Sequence, residues 1–302
     1  MSKLRKHSKR LTVINNNREN KLVVKRAVKS EAYKLFKYIY TEWKHNSNVS
    51  FRIPRPVSYS RSEAVLKRTW IHGKKIMVVY FLTPECLSRV IYGIKPSIFA
   101  EKSAEFLAWL HSLQKLWAYK NTKELQQRHV TEMKTIVNKC FKSRLIDKNI
   151  AKNIECEINK TSEYDAWGPV SLIHGDFKTQ NILIAEKNLA IIDFESLRYD
   201  FSYLDLSRFV SNVKLRSSKY PLTIESHINS FTSMFLKKYE KLSGKIDKRA
   251  LSSCYLHTLL KELKTVLCTY SVTARSIKTA INNFLIRRDF NYLVKEILVE
   301  YD

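Results

Sequence analysis

Three short apolar runs separated by polar loops, VSLIHGD, NILIAE and LAIIDFE, fill residues 170–195. Runs this short and this apolar, bounded by turn-forming residues, are strands and not helices. The loop after the first run carries Asp176 and Asn181, five positions apart, and Asp193 follows twelve positions later at the end of the last run. A loop bearing Asp and Asn, followed by a hairpin that delivers another Asp, brings three oxygen-bearing side chains to one point. Carboxylate and amide oxygens suit hard Mg²⁺, which also takes phosphate oxygens and keeps waters. Phosphoryl transfer needs that metal, a carboxylate to orient or deprotonate an acceptor hydroxyl, and positive charge on the phosphates.

The rest of the chain divides around this segment. RLTVI (10–14) and KLVVKRA (21–27) are β-branched runs joined by the turn-forming NNNREN, which predicts a hairpin. SEAYKLFKYIYTEW, from Ser30 to Trp43, has helical spacing with Ser30 as the expected N-cap. RIPRPVSY is extended, because proline disfavours helix in the residue before it. EAVLKRTWIHGKKIMVVYFL reads as two strands about a turn at His72-Gly73. Beyond it, Ser97–Tyr119 is a long amphipathic helix and KELQQRHVTEMKTIVNKCF a second one. From about Tyr203 onward the pattern is helical, most clearly in LHTLLKELKTVLCTYSV. The expected class is α+β. A small sheet lobe spans residues 1–85, a mainly helical lobe spans 86–302, and a hinge lies near 82–96.

Composition narrows the partners. With 54 Lys and Arg against 28 Asp and Glu, the net charge is +26. Such a field draws nucleotides, nucleic acid, acidic lipid or acidic glycans, and it also simply solvates helix faces. No apolar run approaches the ~20 residues of a membrane helix. The basic N-terminus has no apolar stretch, so a cytoplasmic location is expected, with the inner membrane face as a variant. The five cysteines contain no C-x-x-C pair and read as reduced. The histidines outside the loop show no ligand spacing, so surface or packing roles are expected of them.

HGDFKTQN, then IIDFE, then SLRYDFSYLDLSRFV together resemble the catalytic and metal motifs of the aminoglycoside phosphotransferase/choline kinase superfamily over about residues 172–210. That resemblance implies a bilobal protein-kinase-like fold with a small antiparallel-sheet N-lobe. It implies transfer of the γ-phosphate of ATP to a hydroxyl of a small molecule or glycan, with ATP and Mg²⁺ as cofactors. Carried over by position, Asp176 is the catalytic base, and Asn181 and Asp193 hold Mg²⁺. His174 and Asp205 brace the loop. Lys25 contacts the α and β phosphates, paired with Glu31 or, as a fallback, Glu42. Backbone near Tyr80 to Leu82 holds adenine. Lys178 sits two residues after Asp176, as in the H-R-D-x-K-x-x-N loop of protein kinases, and would reach the γ-phosphate. Glu195 is a further metal or loop contact, or an exposed turn residue.

The chain departs from that pattern at its start. No glycine precedes Gly73, so no G-x-G-x-x-G loop covers the phosphates, and backbone near His7 to Arg10 takes its place, with Ser8 and Lys9 assisting. A weak binder or pseudokinase is the corresponding alternative. The net charge of +26 matches polycationic aminoglycosides poorly. It favours an anionic acceptor, such as a phosphorylated sugar, a lipid-linked or envelope glycan, or a substrate at an acidic membrane surface. Lys178 points to a protein serine/threonine kinase instead, against which stand Asp-Phe-Glu in place of Asp-Phe-Gly and the lack of an A-P-E segment. A basic nucleic-acid-binding module is the non-enzymatic alternative, without a recognisable motif.

Overall fold

The structure, a computed structural model, describes residues 11–15, 21–46, 50–75, 91–113, 122–144, 146–162, 167–217 and 225–270. Strands β1 (Leu11–Asn15) and β2 (Lys21–Arg26) form the expected antiparallel hairpin, with Val13 opposite Val23 and Leu11 opposite Lys25. Helix α1 (Ser30–His45) buries Ala32, Leu35, Phe36 and Ile39, a stripe at helical spacing. Ser30 is not its N-cap. Lys29 holds that position and makes no side-chain cap bond. Strands β4 (Pro56–Ser60) and β5 (Val65–Thr69) complete a sheet of order β1-β2-β5-β4.

Of the two strands expected about His72-Gly73, the second lies mostly outside the described residues, and its described part does not pair with the first. Strand β6 (Lys74–Lys75) pairs with β8 (Ile182–Ala185), and β3 (Phe51–Arg52) runs parallel to β9 (Asn188–Ile191), giving a second sheet of order β3-β9-β8-β6. The chain therefore crosses between sheets from Thr69 to Lys74. Gly73 makes the crossing tight: a Cβ there would lie 2.8 Å from Leu183 Cβ and 3.0 Å from the Ile184 carbonyl oxygen. Tyr80, Leu82 and most of the expected hinge lie outside the described residues.

Helices α2 (Pro96–Ser112) and α3 (Thr122–Lys142) lie where helices are expected. Pro96 opens α2, where its missing N–H costs nothing. Helix α4 (Lys148–Ser162) and strand β10 (Arg198–Phe201) are additions to the sequence reading. β10 pairs antiparallel with β7 (Val170–Ile173). Helices α5 (Tyr203–Ser217), α6 (Glu225–Ser243) and α7 (Lys248–Tyr270) close the chain's described part. α2 packs on α6, and α7 packs on both α5 and α3. Through the core run stacked or tilted rings: Phe106 to Phe177 at 5.5 Å, Phe177 to Phe209 at 5.3 Å and Phe209 to Phe235 at 4.5 Å. Each such ring contributes roughly 1.5–3 kcal/mol by burial, and together they fix the floor beneath the 174–181 loop. Among the described residues no helix is long and apolar enough to cross a membrane.

Candidate active site

Asp205, in the first turn of α5, shapes the loop after β7. It is buried, and it accepts the backbone N–H of His174 at 2.6 Å and of Gly175 at 2.9 Å. Burial alone would raise its pKa, but His111, 3.4 Å away, and the His174 contacts hold it below the usual range. His111 is in turn 2.8 Å from the Tyr239 hydroxyl. The His174 ring lies 3.1 Å from the Ile192 carbonyl through Nε2, while its Nδ1 accepts the Asp176 N–H at 3.4 Å. The imidazole so carries its proton on Nε2 and pins the loop to the end of β9.

A short 3₁₀ turn, Thr179–Asn181, brings Asn181 back against Asp176. Its amide nitrogen donates to the Asp176 carbonyl at 2.9 Å and to Asp176 Oδ2 at 3.1 Å. The Asn181 amide oxygen is left for another partner. The Ile192 N–H donates to the Asn181 carbonyl at 2.9 Å and sets Asp193 beside this turn. Asp193 adopts a left-handed backbone, φ 76° and ψ 51°, at the start of the Phe194–Ser196 turn. Phe194 under it stacks on Phe36 of α1 at 4.9 Å.

The cations follow a different plan from the expected one. Lys25 pairs with Asp193 and lies 3.4 Å from Glu195. Glu31 is exposed in the first turn of α1, and neither it nor Glu42 is the partner of Lys25. Burial works against the Asp193 carboxylate, but the bond from Glu195 and the Lys25 ammonium outweigh it and hold the group well below the usual range. Burial, then the bond to Asp193 and its charge, push Glu195 up to about 7. Asp176 is flanked by Lys178, 2.6 Å from Oδ2, and by Arg208, 3.2 Å from Oδ1. Arg208 also pairs with Glu262 of α7.

Asp176, Lys178 and Asn181 are thus brought together, and Lys25 and Asp193 meet one turn away. Arg208 and Glu262 were missed. Arg208 had a signal, since it follows Asp205 by three residues and helical spacing puts both on the loop-facing side. Glu262 had none. A second convergence was also missed: ligand-type atoms of His129, Glu132 and His257 lie within 4.8 Å of one another. His129 is oriented by Asp200 at 2.7 Å, and Arg198, Arg128, Lys261 and Lys264 all approach these acids. Four cations around two carboxylates oppose a metal dication there, so the cluster is a hydrogen-bonded brace between α3, α7 and β10.

A sequence model of the phosphotransferase enzyme family matches residues 8–221. Among solved structures, glucosamine kinase is similar with a TM-score of 0.64 at 13% identity, covering 94% of this chain and 77% of that one. Choline kinase from Cryptosporidium parvum Iowa II is similar with a TM-score of 0.60 at 14% identity, covering 96% and 85%. APH(2")-IIa, in its complex with gentamicin, is similar with a TM-score of 0.56 at 16% identity, covering 92% and 87%. At such identities the likeness shows the fold, the kinase-like α+β architecture expected from the sequence. No curated protein sequence matches the chain.

Proposed function

The chain belongs to the phosphotransferase enzyme family, and on that premise we propose that it moves the γ-phosphate of ATP to a hydroxyl of a small molecule or glycan, with Mg²⁺ as its metal. The convergence of Asp176, Asn181 and Asp193 carries this reading. The metal fits the donors: the Asn181 amide oxygen, the Asp193 carboxylate and the adjacent Glu195 are hard oxygen ligands. When bound, Mg²⁺ would offset the phosphate charge. Asp176, half-buried and held by Asn181, takes the proton of the acceptor hydroxyl. Lys25 holds the non-transferred phosphates, and Lys178 the transferred one. Adenine meets the backbone of the Tyr80–Leu82 stretch, which leads into the hinge between the lobes. The lobes themselves are residues 1–85 and 86–302, stitched together by β3 on β9 and β6 on β8.

The acceptor in this reading is anionic. The net charge of +26 and the two cations beside Asp176 support that, and a lipid-linked acceptor at an acidic membrane surface, with a cytoplasmic site of action, is one form it takes. The Lys178–Asp176 contact of 2.6 Å favours one second reading, a serine or threonine hydroxyl on a protein.

Thermal unfolding with and without Mg·ATP, on wild type and Asp193→Asn, tests the site. A ligand at ~100 times its dissociation constant adds about 2.7 kcal/mol. A magnesium-dependent rise in wild type that the variant loses supports the reading. No rise at millimolar Mg·ATP overturns it. Product analysis then separates acceptors, and transfer to protein alone would replace the small-molecule reading.

A further inference from the structure

Arg68 is the most anomalous charge in the described residues. It is 4% exposed, yet its Nε has no hydrogen-bond partner and one Nη makes only a 3.4 Å bond to the Thr69 carbonyl. No carboxylate of the described residues lies within ion-pair distance of it. Its position is specific. In the antiparallel β2–β5 pair, Val23 faces Arg68 and Lys25 faces Leu66, so these four side chains share one face of the sheet. Leu66 and Arg68 are buried on that face while Lys67 between them is exposed. It is the face from which Lys25 reaches Asp193 and Glu195.

The acids that would compensate Arg68 are therefore present but engaged. Burial lowers its pKa, and the attraction of Glu195 and then Asp193 opposes this. Both already serve Lys25, and neither lies within ion-pair distance of Arg68. Arg68 thus stands on the Lys25 face of the sheet with no carboxylate of its own among the described residues. A polyphosphate would supply what is missing. A guanidinium donates to phosphate through a planar fork that a lysine lacks, and it stays charged when buried. The need for a second cation has a cause in the sequence: with no glycine before Gly73, there is no glycine-rich loop whose backbone N–H groups could wrap the phosphates.

We propose that Arg68 is a second nucleotide-binding cation, contacting the phosphate groups of a nucleoside di- or triphosphate beside Lys25. The inference rests on the nucleotide reading above. The site recognises phosphate charge through the two cations, so affinity depends on the polyphosphate more than on the nucleoside.

Calorimetric titration of the full chain with adenosine, ADP, ATP and inorganic tripolyphosphate, for wild type, Arg68→Lys and Arg68→Met, decides it. Arg68→Met is expected to weaken ADP, ATP and tripolyphosphate by about tenfold or more, the size of a lost charge-assisted contact, and to leave adenosine within about twofold. Arg68→Lys is expected to recover part of the loss. ADP affinity unchanged in a folded Arg68→Met variant overturns the assignment while leaving the nucleotide reading intact. Equal weakening of adenosine and ADP also overturns it, since that marks a merely structural role. If Arg68→Met does not fold, Arg68→Gln, which keeps polar donors without the charge, is read the same way. A wild type that binds none of the four ligands overturns the nucleotide reading itself, and this inference with it.

Discussion

Asp205 touches no expected substrate, yet it holds the loop that carries Asp176. Replacing it with Asn turns one acceptor oxygen into a donor that faces the N–H groups of His174 and Gly175. The expected cost is about 2–4 kcal/mol of stability in urea unfolding, from buried donors left unpaired. Activity should fall further than the residual folded fraction explains, because the loop geometry goes with it. Gly175 is a second such point. It has φ +77°, and a Cβ there would collide with the Ser196 carbonyl oxygen. Gly175→Ala should cost about 2 kcal/mol or more, whereas Gly244→Ala, with φ +94° but open space around it, should cost only the backbone strain of about 1 kcal/mol. Equal melting temperatures for the two variants would refute the steric account. The candidates Asp176, Asn181 and Asp193 stand out in the sequence by their spacing within one short segment, whereas Lys25, one lysine among many, is picked out by the family resemblance alone. Their partners were not legible. Sequence spacing put Glu31 near Lys25, but the buried stripe of α1 runs through Ala32, Leu35, Phe36 and Ile39, and Glu31 stands off it.

At the scale of elements, α3, α7 and β10 are joined by polar groups and not by apolar contact alone. His129 lies 3.2 Å from His257, and His257 lies 3.2 Å from Glu132. Burial lowers the His257 pKa from 6.5 to about 3. The folded protein thus keeps this imidazole neutral, while the unfolded chain takes up a proton below pH 6.5. Stability from this group is complete above pH 6.5 and is lost as pH falls toward 3, by about 1.4 kcal/mol per pH unit. Glu132, held at about 2 chiefly by its His257 bond, adds a loss of the same sign, but only below its ordinary 4.5. Unfolding free energies from urea titrations at pH 7 and pH 5 should differ by about 2 kcal/mol, and His257→Phe should flatten that slope. A slope unchanged in the variant would rule His257 out as its source. The same elements explain what the sequence hid. α4 buries only Ala151, Ile154, Ile158 and Thr161, a stripe too narrow and too polar to stand out. β10 is four residues, RYDF, whose buried Asp200 is made tolerable by its own Arg198 and by His129 from α3. The strands of α+β class were readable from four-residue apolar runs, but β3 and β6 have two residues each, and two residues carry no periodicity.

For the whole molecule the dominant quantity is the charge of +26. Its field reaches about one Debye length, ~8–10 Å at physiological salt, and it is screened beyond that. Binding of ATP or of an anionic acceptor should weaken as sodium chloride rises, whereas an uncharged acceptor analogue should be indifferent; parallel titrations at two salt concentrations distinguish these. Fold class was readable because one short segment, residues 172–210, has few architectures that suit it. The path between the sheets was not, because pairings such as β6 on β8 join residues over a hundred positions apart. That path has a consequence for the chain in pieces. The hairpin β8–β9 lies in the middle of its sheet, capped on one side by β3 and on the other by β6. Both caps come from the first quarter of the chain. A fragment that starts at residue 91 would keep the hairpin and lose both of them. Two bare edges of apolar backbone, NILIA and NLAI, would then face water, each a template for a neighbouring copy. Such a fragment should precipitate or form fibrillar assemblies, and a supplied peptide of residues 50–75 should keep it dispersed.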